Sequence, residues 1–318
     1  MRLYTIAPGW TQLVGPKMLD VPQNNPPTVQ AELPDTDPRV RMPPLADTLG
    51  AFLESQQTSM ATVIAVANQK GGVGKTTTTA NLGAALALRG KRVLLVDLDP
   101  QGNLTSAFGL EKDIQHTVAE SLLDRRIPLP VVSVSNGTVD GVAPTQRLSV
   151  VPASVGLASA EAQLMNKLGR EMRLRDQLMG VEANYDYVMI DTPPSLGVLT
   201  INALVAATKV IIPTEARFFS LQGLQMLEES IEEILYLNPR LEVLGILLSK
   251  MDRRLKEERQ VADYLRQRWG VRVFGTEVGT NSKILEAGSA GTSVFHYSGA
   301  ERAADAYLHL ADEVLARA

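Results

Sequence analysis

The chain has 318 residues, 45% of them apolar, and a formal charge of −4, enough for one large α/β domain or two small ones with a sizeable core. Zero cysteines exclude disulfides, thiolate metal sites and iron–sulfur clusters, and three scattered histidines make a poor zinc site. The weak negative charge exerts no global pull on nucleic acid, no run approaches the roughly 18 apolar residues of a membrane span, and the beginning lacks the pattern of a signal peptide, which together predict a cytoplasmic protein.

Residues 1–58 differ from the rest. Nine of the 18 prolines fall in the first 44 residues, mixed with polar side chains, a composition that cannot bury a core and predicts a disordered N-terminal extension. A short helix is expected over residues 45–56, where Leu45, Leu49, Phe52 and Leu53 share a face. The extension reads either as a bland tail or as a partner-binding arm, and Met60, directly before the first strand, is an alternative start of translation.

The next stretch is the most informative. Thr62-Val63-Ile64-Ala65-Val66-Ala67 reads as a strand, Thr77 to Arg89 as a helix, and between them lies Asn68-Gln69-Lys70-Gly71-Gly72-Val73-Gly74-Lys75-Thr76. A loop that wraps phosphate oxygens turns its backbone N–H groups inward, and glycines permit the dihedrals and close approach that a Cβ forbids. Lys75 then reaches the β and γ phosphates, Thr76 offers its hydroxyl to magnesium, and the helix points its positive end at the anion. The strict phosphate-loop pattern asks for glycine where Gln69 stands; a second lysine, Lys70, opens the loop instead. In this the loop resembles the deviant Walker A motif of the ParA/Soj/MinD ATPases, whose mark is that extra lysine. Some plasmid members carry a helix-turn-helix domain ahead of the loop, which the proline-rich extension does not resemble, and iron–sulfur members are excluded by the missing cysteines.

From Ala61 onward apolar runs alternate with helical patterns, as a doubly wound, mostly parallel α/β sheet with helices on both faces requires. Strands are expected at 62–67, 92–97, 148–152, 187–191, 210–213, 241–248 and 271–274, with helices near 77–89, 117–124, 157–179, 197–206, 219–236, 257–269 and 300–317; residues 128–144 read as a loop with at most a short strand. The second strand ends in Val96-Asp97-Leu98-Asp99-Pro100, which resembles the family's switch motif, and the resemblance implies that Asp99 positions the attacking water. Tyr187-Val188-Met189-Ile190-Asp191 is a buried strand ending in a carboxylate, the Walker B arrangement, with Asp191 near Thr76 and magnesium. Ile212-Pro213 and Phe218-Phe219 also match the family in kind, whereas Arg217 stands where relatives often have an acid. Ser249-Lys250-Met251-Asp252 reads as a lip of the nucleotide pocket or as a plain strand-to-helix turn.

Residues 250–283 hold nine basic and five acidic side chains, a local +4 on an acidic chain, which is the footprint of phosphate-backbone contact or of a solvated helix face. The last helix puts Tyr307, Leu310, Val314 and Leu315 on one face but carries Asp305, Asp312 and Glu313, so it reads as docked on its own core and not as a basic helix lying on lipid.

The family resemblance implies ATP and Mg2+ as cofactors and a dimer completed by ATP. It implies catalytic roles for Lys70, Lys75 and Asp99. Nucleotide contacts are implied for Lys70, Gly71, Gly72, Val73, Gly74, Lys75, Thr76, Thr77, Asp97, Asp191 and Pro213, and metal contacts for Thr76, Asp99 and Asp191. Non-specific double-stranded DNA would be held by Arg254 and Lys283, hydrolysis would be stimulated by a ParB-like partner, and the protein would sit on the nucleoid. A positioning ATPase like MinD, acting on another cargo or at the membrane, and a metabolic amide ligase built on the same loop are the competing classes.

Overall fold

The computed structural model describes residues 61–111, 114–134 and 147–318; the N-terminal extension and its expected helix lie outside the described residues. Eight strands form one sheet in the order β3-β4-β2-β5-β1-β6-β7-β8. They are β1 (Thr62–Val66), β2 (Val93–Asp97), β3 (Val132–Ser133), β4 (Leu148–Val151), β5 (Tyr187–Asp191), β6 (Lys209–Glu215), β7 (Glu242–Met251) and β8 (Val273–Gly279). All neighbours run parallel except β3 and β4.

The central strands are apolar at nearly every position because both faces of the sheet are covered, so alternation serves to feed two cores. Val63 and Ala65 of β1, Leu94 and Val96 of β2 and Val188 and Ile190 of β5 pack into one core with Leu122, Leu157, Leu174, Leu204 and Leu227. Their alternates Ile64, Val66, Val93, Leu95, Tyr187 and Met189 pack into the other with Leu82, Leu86, Tyr307, Leu310 and Val314. Each fully buried leucine contributes about 1.5–3 kcal/mol.

The second core is closed by α1 (Lys75–Leu88) and the C-terminal helix α10 (Glu301–Arg317). Arg89 donates to both carboxylate oxygens of Asp312 at 2.7 Å, and Glu313 accepts from the N–H groups of Gly275 and Thr276, so these acids pin the last helix to the protein's own surface. That agrees with the docked reading. Among the described residues no helix is long and apolar enough to cross a membrane.

Several boundaries differ from the sequence reading. The helix expected over 157–179 is interrupted into α4 (Gly156–Leu164), a 3-10 turn (Arg170–Met172) and α5 (Arg173–Leu178). Winding stops at Leu164, Gly169 at φ 61° takes a left-handed dihedral directly before the 3-10 turn, and buried Asn202 of α6 (Val198–Ala206) ties the pieces together by donating to the Arg170 carbonyl and accepting from Leu174 N–H. β6, β7 and β8 continue beyond their expected ends because they pair with one another up to Glu215, Met251 and Gly279. Ser249 and Lys250 therefore lie inside β7 and not in a turn. Two short helices were not anticipated, α2 (Asn103–Ser106) and α9 (Ser282–Ser289). The remaining helices, α3 (Val118–Leu123), α7 (Phe218–Ile234) and α8 (Lys256–Trp269), stand within two residues of expectation.

Candidate nucleotide site

The C-terminal ends of β1, β2, β5, β6 and β7 converge on the glycine loop. Gly72 at φ 76° and Gly74 at φ 88° take left-handed dihedrals that a side chain would strain, while Gly71 has room for a Cβ, its nearest contact being Pro194 at 3.7 Å. Two of the three glycines are thus required by the loop itself. α1 begins directly after Gly74 with no side-chain cap, and its first internal bond runs from Thr78 N–H to the Gly74 carbonyl. The preceding N–H groups and the positive end of the helix are left for an anion.

Neighbouring strands hold the loop in shape. Asn68 accepts from Lys70 N–H at 2.9 Å and donates to the Pro213 carbonyl at 2.8 Å, so Pro213 fixes the start of the loop through its backbone. The Ser249 hydroxyl donates to the Val73 carbonyl at 2.7 Å, with the Thr214 carbonyl 3.2 Å away. Ser249 therefore braces the loop, and with Lys250 it also lines a cavity beside Gly74 and Thr77, in keeping with the lip expected there.

Lys75 is buried, and its ammonium donates to the Lys70 carbonyl at 3.4 Å. Burial lowers its pKa, and Asp191 and Asp99 oppose that shift. Asp97 and Asp191 are aligned on adjacent strands, with Val66 opposite Asp191 on the other side, which sets the carboxylates beside the loop. Asp191 is fully buried, and neither carboxylate oxygen has a well-directed hydrogen-bond partner, the Thr76 hydroxyl acting on it only loosely. Burial and the Asp97 carboxylate push its pKa well above the usual range, against the pull of the Thr76 hydroxyl and Lys75.

Asp97, expected at the nucleotide, is hydrogen-bonded within the protein. One oxygen accepts from Asp99 N–H at 3.1 Å; the other accepts from the N–H and hydroxyl of Thr105 at 2.9 and 2.8 Å. Thr105 Oγ1 in turn accepts from Ala153 N–H at 2.9 Å. Burial raises the Asp97 pKa to about 6. Its oxygens are thus occupied within the protein, shaping the turn that carries Asp99. Asp99 is 8% exposed and accepts from Gln101 N–H at 3.0 Å.

Two cavities flank Thr77. One, of about 300 Å³, has an apolar lining that includes Gly74, Val278, Leu285 and Tyr307. The other, of about 360 Å³, is lined by Thr76, Asn81, Asn103 and Phe108 among others. Each has the size of a pocket for a small molecule. The sequence reading missed the contribution of α9, although Asn281, which caps it by accepting from Lys283 N–H, precedes an apolar Ile284-Leu285 pair.

The two cations expected to meet DNA part company. Arg254, on the surface, forms an ion pair with Asp252 at 2.7 Å and lines a groove of about 740 Å³ with Arg217, Lys250, Arg253 and Arg302. Lys283 does not line that groove; its ammonium pairs with Glu286 at 2.7 Å, and the Tyr297 hydroxyl donates to the same carboxylate.

A parallel sheet with a glycine loop running from strand to helix, a buried lysine and carboxylates at the ends of neighbouring strands defines a phosphate-loop nucleoside triphosphatase. A family model described as an AAA domain matches residues 61–243. Over 259 residues the chain is 42% identical to the sporulation initiation inhibitor protein Soj of Bacillus subtilis, covering 81% of this chain and 99% of that protein. It is 43% identical over 260 residues to the chromosome partitioning protein ParA of Caulobacter vibrioides, covering 80% and 94%. Among solved structures, a cobyrinic acid a,c-diamide synthase from Mycobacterium smegmatis, solved with ADP and magnesium, is 36% identical with a TM-score of 0.65, covering 80% of this chain and 93% of that one. The cell division ATPase MinD of Pyrococcus furiosus, at 22% identity and TM-score 0.65, shares the fold. The chain belongs to the ParA/Soj family of partition ATPases.

Proposed function

We propose that residues 61–318 form an ATP-hydrolysing domain that partitions a chromosome or plasmid, cycling between monomer and ATP-bound dimer. The observation that carries this reading is the pair of lysines in one loop, Lys75 buried against Asp191 and Asp99, and Lys70 at the rim with its side chain 39% exposed. Lys75 and the N–H groups at the start of α1 bind the β and γ phosphates. Asp99, fixed by the Asp97–Thr105 bonds, orients the attacking water. Lys70 acts on the nucleotide of a second copy.

The residues present fit a magnesium ion. The described residues hold no cage of three or more acidic, histidine or cysteine side chains, and magnesium is ordinarily held by one or two carboxylates together with phosphate oxygens and water. The buried, loosely partnered oxygens of Asp191 and the hydroxyl of Thr76 would hold it, with Asp99 close by, and it would supply charge neutralisation at the phosphates.

Asp99→Ala is expected to keep ATP affinity and dimerisation while steady-state turnover falls on the order of 10²-fold, the contribution typical of a positioned base. Normal turnover in that variant moves the role to another residue. ATP hydrolysis without any amide acceptor separates this reading from an amide ligase.

The groove beside β7 supports non-specific binding of double-stranded DNA, and hence residence on the nucleoid in the cytoplasm, with hydrolysis stimulated by a ParB-like partner. Neutralised phosphates release counterions, so affinity falls steeply with salt. The double variant Arg254→Ala, Arg302→Ala is expected to lower the slope of log affinity against log salt by about 2, since each phosphate contact contributes roughly 0.9. Lys283→Ala, which lies outside the groove, should change it less. A parental slope in the double variant makes the groove a solvated face.

A further inference from the structure

Lys70 does not stand free at the rim of the loop. Its ammonium lies 2.7 Å from Oε2 of Glu215, the last residue of β6, whose side chain is 12% exposed. Two further cations crowd the same carboxylate, Arg217 Nε at 3.8 Å and Lys250 Nζ at 3.9 Å. Arg217 also lies 3.9 Å from Oε1 of Glu258, a buried acid whose Oε2 accepts from Asp252 N–H at 2.7 Å. The main chain at Lys70 is tied by its own N–H to Asn68, and Asn68 to Pro213, so the side chain can move while the loop stays in place.

Removing one member of a buried ion pair is costly when it strands the other charge. Here it does not. If Lys70 leaves, Glu215 keeps Arg217 and Lys250, so the release of Lys70 leaves no orphaned carboxylate. The same two cations weaken the hold of Glu215 on Lys70, and a triphosphate, with its several negative charges, is the stronger attractor. The arrangement suits a side chain that waits at one anion and is transferred to another.

We infer that Glu215 is a positioning residue for Lys70, holding its ammonium on its own subunit until the triphosphate of a second copy draws it away. This rests on the cross-subunit role given to Lys70 above. Glu215 thereby sets the protein concentration at which ATP drives dimerisation, without touching the reacting atoms.

Two measurements on the full chain test it, comparing the parent with Glu215→Gln and with Glu215→Asp, which keeps the carboxylate. The first is the acetylation rate of Lys70 without nucleotide, read by mass spectrometry against exposed Lys167 as the internal reference. The second is the midpoint of dimerisation with a slowly hydrolysed ATP analogue, read by sedimentation together with turnover at saturating protein. A partly exposed ion pair corresponds to a change of about 2- to 5-fold. In Glu215→Gln, Lys70 should acetylate faster by that factor, and dimers should form at protein concentrations lower by that factor, with turnover per dimer unchanged. Glu215→Asp should lie closer to the parent in both. Parental acetylation of Lys70 in Glu215→Gln, or a dimerisation midpoint that is unchanged or raised, overturns the inference. A parent chain that stays monomeric overturns the cross-subunit reading itself, and the acetylation rate still reports separately whether Glu215 holds Lys70.

Discussion

A chain carrying Lys75→Ala is expected to give no heat of ATP binding in calorimetry, a loss of at least about 100-fold in affinity, since each charge-assisted bond is worth about 1.5–3 kcal/mol and Lys75 faces two phosphates. The effect is large because the lysine is buried, facing Asp191 and Asp99. Asp191 and Asp99 both favour its charge, so its removal also leaves these two buried acids without the cation that faces them. Those acids then repel the triphosphate. Circular dichroism should show the fold retained, because the Asp97–Thr105–Ala153 bonds and the Asn68–Pro213 bond do not involve Lys75. Unchanged calorimetry sinks the assignment of the loop.

Lys70→Ala should separate binding from turnover. Lys70 sits at the rim of the loop with its ammonium on Glu215, and Lys75 already occupies the interior next to the Lys70 carbonyl. Two ammonium groups on one γ phosphate of the same subunit would repel. A lysine reaching across an interface instead neutralises charge developing between the β and γ phosphates, as an arginine finger does. Loss of such a group costs on the order of 10³-fold in turnover. The variant should bind ATP as a monomer, hydrolyse it at a rate lower by that factor and lose most DNA affinity with the dimer. A stable dimer with parental turnover leaves a cis-acting ATPase.

The loop was legible from sequence because its chemistry is local: glycine at 72 and 74 supplies left-handed dihedrals, and Lys75 and Thr76 follow at the start of the helix. The strands were legible because a parallel sheet covered on both faces demands continuous apolar runs, as at Val93–Asp97 and Tyr187–Asp191. What stayed hidden depends on residues distant in sequence. The role of Asp97 becomes visible only when Thr105 and Ala153 are brought to it, and that of Ser249 only when β7 is laid against the loop. Glu215 was unremarked because an acid closing a strand is common; its meaning comes from Lys70, 145 positions earlier. The expected helix over 157–179 stops at Leu164, and Gly169, whose backbone turns left-handed, precedes the 3-10 turn and α5 although the apolar pattern continues.

The central claim is that the active site is completed by two subunits. Its most direct test is the rate of ATP hydrolysis per chain, at saturating ATP and Mg2+, as protein concentration is raised through the dimerisation midpoint measured by sedimentation. A shared site predicts a rate per chain that rises with concentration below the midpoint and levels off above it. A rate per chain that stays constant across that range would contradict the account and place the whole of catalysis within one subunit.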